Sequence, residues 1–180
     1  MTPPLSLDAL DARFRSGRDR IHAACGGGVP DARRPSPEAW SPAEVVAHLN
    51  VIARADLPAL ERAVAAAPSG RTPEPLRLGL LGGLFVRSVA PGGRPFRTFR
   101  SMLPPQDGLD PAAVLAALDA DTDRFLALVA AARTRDVSRA RAASPLAPVL
   151  RLPVAAFLAG LAGHVHRHAA QIERGQALRA

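Results

Sequence analysis

The chain has 180 residues, a formal net charge of +7, and 48% hydrophobic but only 4% aromatic residues. That length and apolar content exclude a disordered chain and allow one domain, residues 1–180, to bury a real core. Abundant Ala and Leu with few aromatics favour helices over sheet, and the complete lack of Lys reads as a coding bias towards Arg, so the charge says little about partners.

A first helix is expected over residues 6–24. Leu7, Leu10, Phe14 and Ile21 recur at helical spacing, Ser6 is placed to cap it, and Gly26-Gly27-Gly28 ends it. His22 lies one step off the apolar stripe and reads as a half-exposed helix histidine. Residues 29–40 form a loop with Pro30, Pro35 and Pro37. A second helix opens at Ser41, with Pro42 first and Glu44 third, the pattern of a capping box. Trp40 and Val45 flank that cap as a hydrophobic staple. The helix runs through Leu49, Ile52 and Leu60 to Val64, with Pro58 as a candidate kink. His48 falls on its apolar face, three residues after Val45 and four before Ile52.

Residues 68–109 are rich in Pro and Gly. Residues 76–89 (LRLGLLGGLFVRSV) predict a short extra helix, weakened by Gly79, Gly82 and Gly83, whose apolar surface is a candidate partner interface. Residues 90–109 predict an extended connector. Asp110-Pro111 opens a third main helix on the same cap-then-Pro logic, with Leu115, Leu118, Phe125, Leu128 and Val129 as its stripe. It should end near Arg133 and pass into a basic loop reaching Pro148. The last helix starts near Pro153, where Leu152-Pro153 lacks a capping side chain, and frays near Gly175. No strand or repeat stands out. The sum is an all-α protein: a four-helix bundle with a long Pro/Gly-rich connection between the second and third main helices.

Cys25 is the only cysteine, so neither an intrachain disulfide nor a CxxC metal site is available, and it reads as a small hydrophobe. No leader peptide is visible, and the longest apolar run, residues 150–165, is broken by Arg151, Pro153 and His164. A cytoplasmic protein without membrane association is expected. Arginines such as Arg33, Arg94, Arg133 and Arg151 are scattered without stacking aromatics between them, which argues against a nucleic-acid footprint.

The last helix carries Val154, Phe157, Leu161, His164, His168 and Ile172 on one face. His164 and His168 are one turn apart and continue an apolar stripe, whereas His166 points to the opposite side. An i,i+4 histidine pair can grip one metal ion, and His48 is the candidate third donor. Neutral imidazoles packed together each need an acceptor, and protonated ones repel; a divalent cation resolves both problems. Zinc suits such a site, and imidazole also suits nickel, copper and iron. Three protein ligands leave a position open, the mark of a catalytic site. Gln171 is placed to hydrogen-bond a ligand or a neighbouring helix, Glu44 is assigned to capping, and Asp56, two turns beyond His48, is not assigned as a base. Arg167 reads as solvated or as an ion-pair partner.

The ordering Trp40-Ser41-x-x-Glu44-x-x-x-His48-Leu49, then His164-x-x-x-His168-x-x-Gln171-Ile172, resembles the DinB-like superfamily of four-helix-bundle metalloproteins. Residues 144–172 resemble its final loop and helix, and Arg94-Pro95-Phe96-Arg97 resembles a connector of some members. The resemblance implies a divalent metal, commonly zinc or nickel, on His48, His164 and His168, and a homodimer. It also implies a small-molecule substrate and chemistry with low-molecular-weight thiols such as bacillithiol or mycothiol, namely S-transfer or isomerisation. A non-catalytic, stress-linked metal-binding protein is the alternative.

Overall fold

The computed structural model describes residues 4–93, 98–105 and 107–177; the Arg94-Pro95-Phe96-Arg97 connector and Met1 to Pro3 of the amino-terminal stretch lie outside the described residues. The described residues include five α-helices. Helix α1 spans Leu7–Ala24, α2 Pro42–Ala65, α3 Gly79–Val89, α4 Pro111–Ala131 and α5 Val154–Ala177.

Three of the long helices begin where their capping chemistry places them. Ser6 Oγ accepts from Ala9 N at 3.1 Å, and Asp110 Oδ1 accepts from Ala112 N at 3.0 Å. At α2 the capping box is complete: Glu44 N donates to Ser41 Oγ at 3.1 Å, and Ser41 N donates to Glu44 Oε2 at 2.8 Å. Glu44 is buried and also accepts from Arg34, which holds its carboxyl below the usual range. Pro58 lies inside α2, and the helix continues through it.

α5 starts differently. The expected absence of strands is wrong here: Arg141–Ala143 (β1) and Arg151–Pro153 (β2) pair antiparallel, with Ala142 opposite Leu152, and β2 runs straight into α5. These strands are three residues long and mostly lack the β-branched and aromatic side chains that mark strands in a sequence. The hairpin also explains the missing cap, because Val154 N donates to Ala140 O at 3.0 Å. At the other end, α5 does not stop at Gly175 but reaches Ala177. Arg20 donates twice to Glu173, at 2.7 Å each, and Gln176 donates to Ala24 O, so this end is tied to α1.

α1 packs on α4 and α5, and α2 packs on α4 and α5, which makes the four long helices a bundle. The beginning of α2 (Val45, Val46, Leu49) shares a core cluster with the end of α5 (Ala169, Ile172), and the end of α2 (Leu57, Leu60, Val64) shares one with its beginning (Val154, Phe157, Leu158). The two helices are therefore antiparallel, and His48 meets the second half of α5. No described helix is long and apolar enough to cross a membrane.

The connection is not a slack loop. α3 packs on α5, and a short 3₁₀ turn, Arg100–Met102, contacts α2. Glycines make the α3–α5 approach possible. A Cβ on Gly82 would lie 2.6 Å from Ala156 Cβ, and one on Gly160 would lie 2.3 Å from the Phe85 ring. Opposite that contact, Leu80 (79% exposed), Leu81 and Leu84 face outward.

This contact gives a paired test. Gly82→Ala should destabilise by about 1–3 kcal/mol, because two Cβ atoms on helical backbones have nowhere to go. Gly83→Ala, with open space around it, should be neutral or stabilising by up to about 1 kcal/mol. Denaturant titrations of both variants decide; equal effects would contradict the close-packed α3–α5 contact.

Candidate metal centre

His48 lies in the second turn of α2, held inward by the Val45–Leu49 stripe and by Trp40, whose ring centroid is 5.0 Å away. His164 and His168 lie one turn apart on α5. The structure brings the three rings together. His48 Nε2 and His164 Nε2 are 3.3 Å apart, and His164 Nε2 and His168 Nε2 are 3.1 Å apart. One ligating nitrogen from each of the three lies within 4.8 Å of the others. His166 turns away, with Nε2 3.1 Å from Arg13 O, so α1 holds it off the cluster.

The outer nitrogens settle which lone pairs point inward. His48 Nδ1 is 2.6 Å from Met102 O, an acceptor only, so Nδ1 carries the proton and Nε2 a lone pair. His168 Nδ1 is 2.8 Å from Gln171 Oε1, which assigns the same tautomer. In both, the outer ring nitrogen is held by an oxygen that fixes the orientation of the imidazole. His164 Nδ1 is buried with no hydrogen-bond partner among the described residues.

Electrostatics keep the cluster neutral. Burial pushes His48 below its ordinary value. His164 falls to about 4, through burial first and then repulsion from His48; the nearby Val89 carbonyl offsets part of this without reaching hydrogen-bond geometry at Nδ1. Burial, reinforced by His164 and His48, drives His168 well down. Two fixed lone pairs and a third Nε2 therefore converge, and one proton cannot satisfy all three. A tetrahedral ion with Zn–N bonds near 2.0–2.1 Å requires nitrogen separations of about 3.4 Å, close to the His48–His164 and His164–His168 separations. The donor set fits a divalent cation of borderline softness.

The cluster opens onto a cavity of ≈ 350 Å³. Ile52, Phe85, Phe157 and Leu161 give it apolar walls; Glu38, Arg167 and Gln171 bring polar groups. Val89, Thr98, Phe99 and Met102 show that the connection between α2 and α4 covers the cavity, and Ser144, Pro145 and Leu146 bring the hairpin loop to it. Arg167 is neither merely solvated nor only an ion-pair candidate: its Nη1 donates to Ser88 O at 3.0 Å, tying α5 to the end of α3.

Other side chains singled out in the sequence sit elsewhere. Half-buried His22 contacts Asp119 at 2.8 Å, away from the cluster. Burial pushes the Cys25 thiol up, which suits the small-hydrophobe reading. Asp56, which has no role assigned from the sequence, gains one from its place in the fold. It lines the same cavity and is only 6% exposed. Burial pushes its carboxyl up to about 7 from 3.8. The available signal was its spacing, eight residues from His48 and hence on the same helix face.

Residues 30–172 match the family model of the DinB superfamily, and the chain belongs to that superfamily. Comparisons with curated proteins and with solved structures gave no match.

Two predictions follow from the geometry. Titration calorimetry with zinc or nickel should show high-affinity binding lost in His48→Ala, His164→Ala and His168→Ala, retained in His166→Ala, and weakened about 10–100-fold in Gln171→Leu. Unchanged affinity in His168→Ala would contradict the site. For Asp56, the raised folded-state pKa means that the folded chain holds the proton more tightly than the unfolded one. Stability is therefore lost as pH rises from about 4 to about 7, by up to on the order of 4 kcal/mol. Asp56→Asn should raise Tm at pH 8 and leave it nearly unchanged at pH 4; the same Tm difference at both would contradict the assignment.

Proposed function

We propose that this member of the DinB superfamily is a metal-dependent enzyme that joins a low-molecular-weight thiol to a small electrophilic substrate. The observation that carries the reading is the convergence of His48, His164 and His168 at the wall of a substrate-sized cavity. A divalent ion there, zinc or nickel, supplies Lewis acidity that lowers the pKa of a thiol or water near neutral pH.

The chain's own residues would do the rest. Met102 O and Gln171 Oε1 fix the tautomers, so that the Nε2 lone pairs are aimed before anything binds. His48, His164 and His168 would hold the ion as three protein ligands, leaving it free to take a thiol or water as well. Ile52, Phe85, Phe157 and Leu161 exclude water and bind the apolar body of a substrate. In a drier site each electrostatic interaction strengthens. The arginines do not favour a nucleic-acid partner: Arg15, Arg18, Arg20, Arg34, Arg124 and Arg133 are engaged with carboxylates on the chain itself. A homodimer through the outer face of α3 is part of the proposal, supported by the exposed Leu80, Leu81 and Leu84.

The test is a panel of small thiols and electrophiles incubated with metal-loaded protein, read as thiol consumption. At least one pair should react 10-fold or more faster than with His48→Ala. No acceleration over that variant, with metal bound, would leave a non-catalytic metal-binding protein. Light scattering on the same preparation should give the mass of two chains; the mass of one would remove the dimer.

A further inference from the structure

Asp56 is a buried ionisable group that lines the cavity and that the metal reading does not use. It sits on α2 eight residues beyond His48, about 12 Å along the helix axis. On antiparallel α5 the matching step runs from His164 back to Phe157, which also lines the cavity. Along the two helices that line the cavity, the histidine cluster and Asp56 are therefore about two turns apart, with Ile52 and Leu161 between them.

Asp56 makes no hydrogen bond or ion pair with any described residue, and burial alone accounts for its raised carboxyl pKa. The Asp56 carboxyl is only 6% exposed, and the surface it keeps is on the cavity, so its satisfaction depends on what occupies that cavity. The other buried acid on α2, Glu44, has its cap and Arg34. Asp56 has only the cavity. A ligand group that donates a hydrogen bond is the partner this site lacks.

Resting on the metal reading for one end of the ligand, we propose that Asp56 is a specificity-determining residue: its carboxyl receives an amine or hydroxyl group at the far end of a ligand whose other end reaches the histidine cluster. The ligand class is thus a compact, bifunctional molecule with an apolar middle. An isolated hydrocarbon tail would leave Asp56 desolvated and unpaired, so the cavity discriminates against it.

The test uses three thiols that differ only at the far end: 6-amino-1-hexanethiol, 6-mercapto-1-hexanol and 1-hexanethiol. Their affinities are read on cobalt(II)-substituted protein at neutral pH from the thiolate-to-cobalt charge-transfer band. One or both donor-bearing thiols should bind about 10-fold or more tighter than 1-hexanethiol, consistent with a hydrogen bond to a charged group. In Asp56→Asn the amine preference should fall below about 3-fold, with cobalt content unchanged and 1-hexanethiol affinity unchanged or raised; which thiol leads distinguishes amine from hydroxyl. Equal affinities in the wild type, or an amine preference that survives Asp56→Asn, would overturn the proposal. Should the protein take up no cobalt, the metal reading fails but Asp56 is still decided. n-Hexylamine should then raise the Tm of metal-free wild type and not of Asp56→Asn, and no shift in the wild type would overturn it.

Discussion

Three imidazoles with inward-facing Nε2 atoms, buried between two antiparallel helices, set the terms for the rest of this structure. Burial denies them protons, and the outer hydrogen bonds of His48 and His168 aim their lone pairs at one point. Such a cluster is tolerable only where the surrounding core is rigid, because a small rotation of either helix would separate the nitrogens. The capping box at Ser41 fixes where α2 begins and hence where His48 points. The Arg20–Glu173 pair and the Gln176 contact hold the end of α5 against α1. Each device lies within two or three turns of the ring it positions.

The rest of the chain closes the site. α3 lies close on α5 because Gly82 and Gly160 remove the Cβ atoms that would hold it away. Phe85 and Val89 thereby reach the cavity, and the following turn delivers the Met102 carbonyl to His48. The connection between α2 and α4 thus supplies both a wall and an orienting acceptor. Asp56 belongs to the same logic from the opposite direction: a group that weakens the fold above pH 7 is kept where a ligand can use it.

Much of this was legible in the sequence, and the parts that were not have physical reasons. The four long helices and the short one follow from apolar periodicity and from the Ser6, Ser41 and Asp110 caps. The stripe from Val154 to Ile172 selects His164 and His168 and sets His166 aside; the structure brings the first two to His48 and sends the third to Arg13 O. The β1–β2 hairpin was missed because three-residue strands dominated by Ala, Leu, Arg and Pro leave almost no period-two signal. Met102 acts through its backbone, which no side-chain pattern can announce. Asp56 stands at i+8 from His48, but no sequence pattern assigns it a role, since the cavity that gives it meaning is assembled by α3, α5 and the hairpin loop, far apart in the chain.

The most direct measurement is elemental analysis of the full chain purified without a histidine tag. The expected result is about one divalent ion per chain, zinc or nickel, removed by a strong chelator and restored on adding either metal. A preparation holding well under half an ion per chain, and taking up none when zinc or nickel is supplied, would contradict the central claim that these three histidines form a metal site.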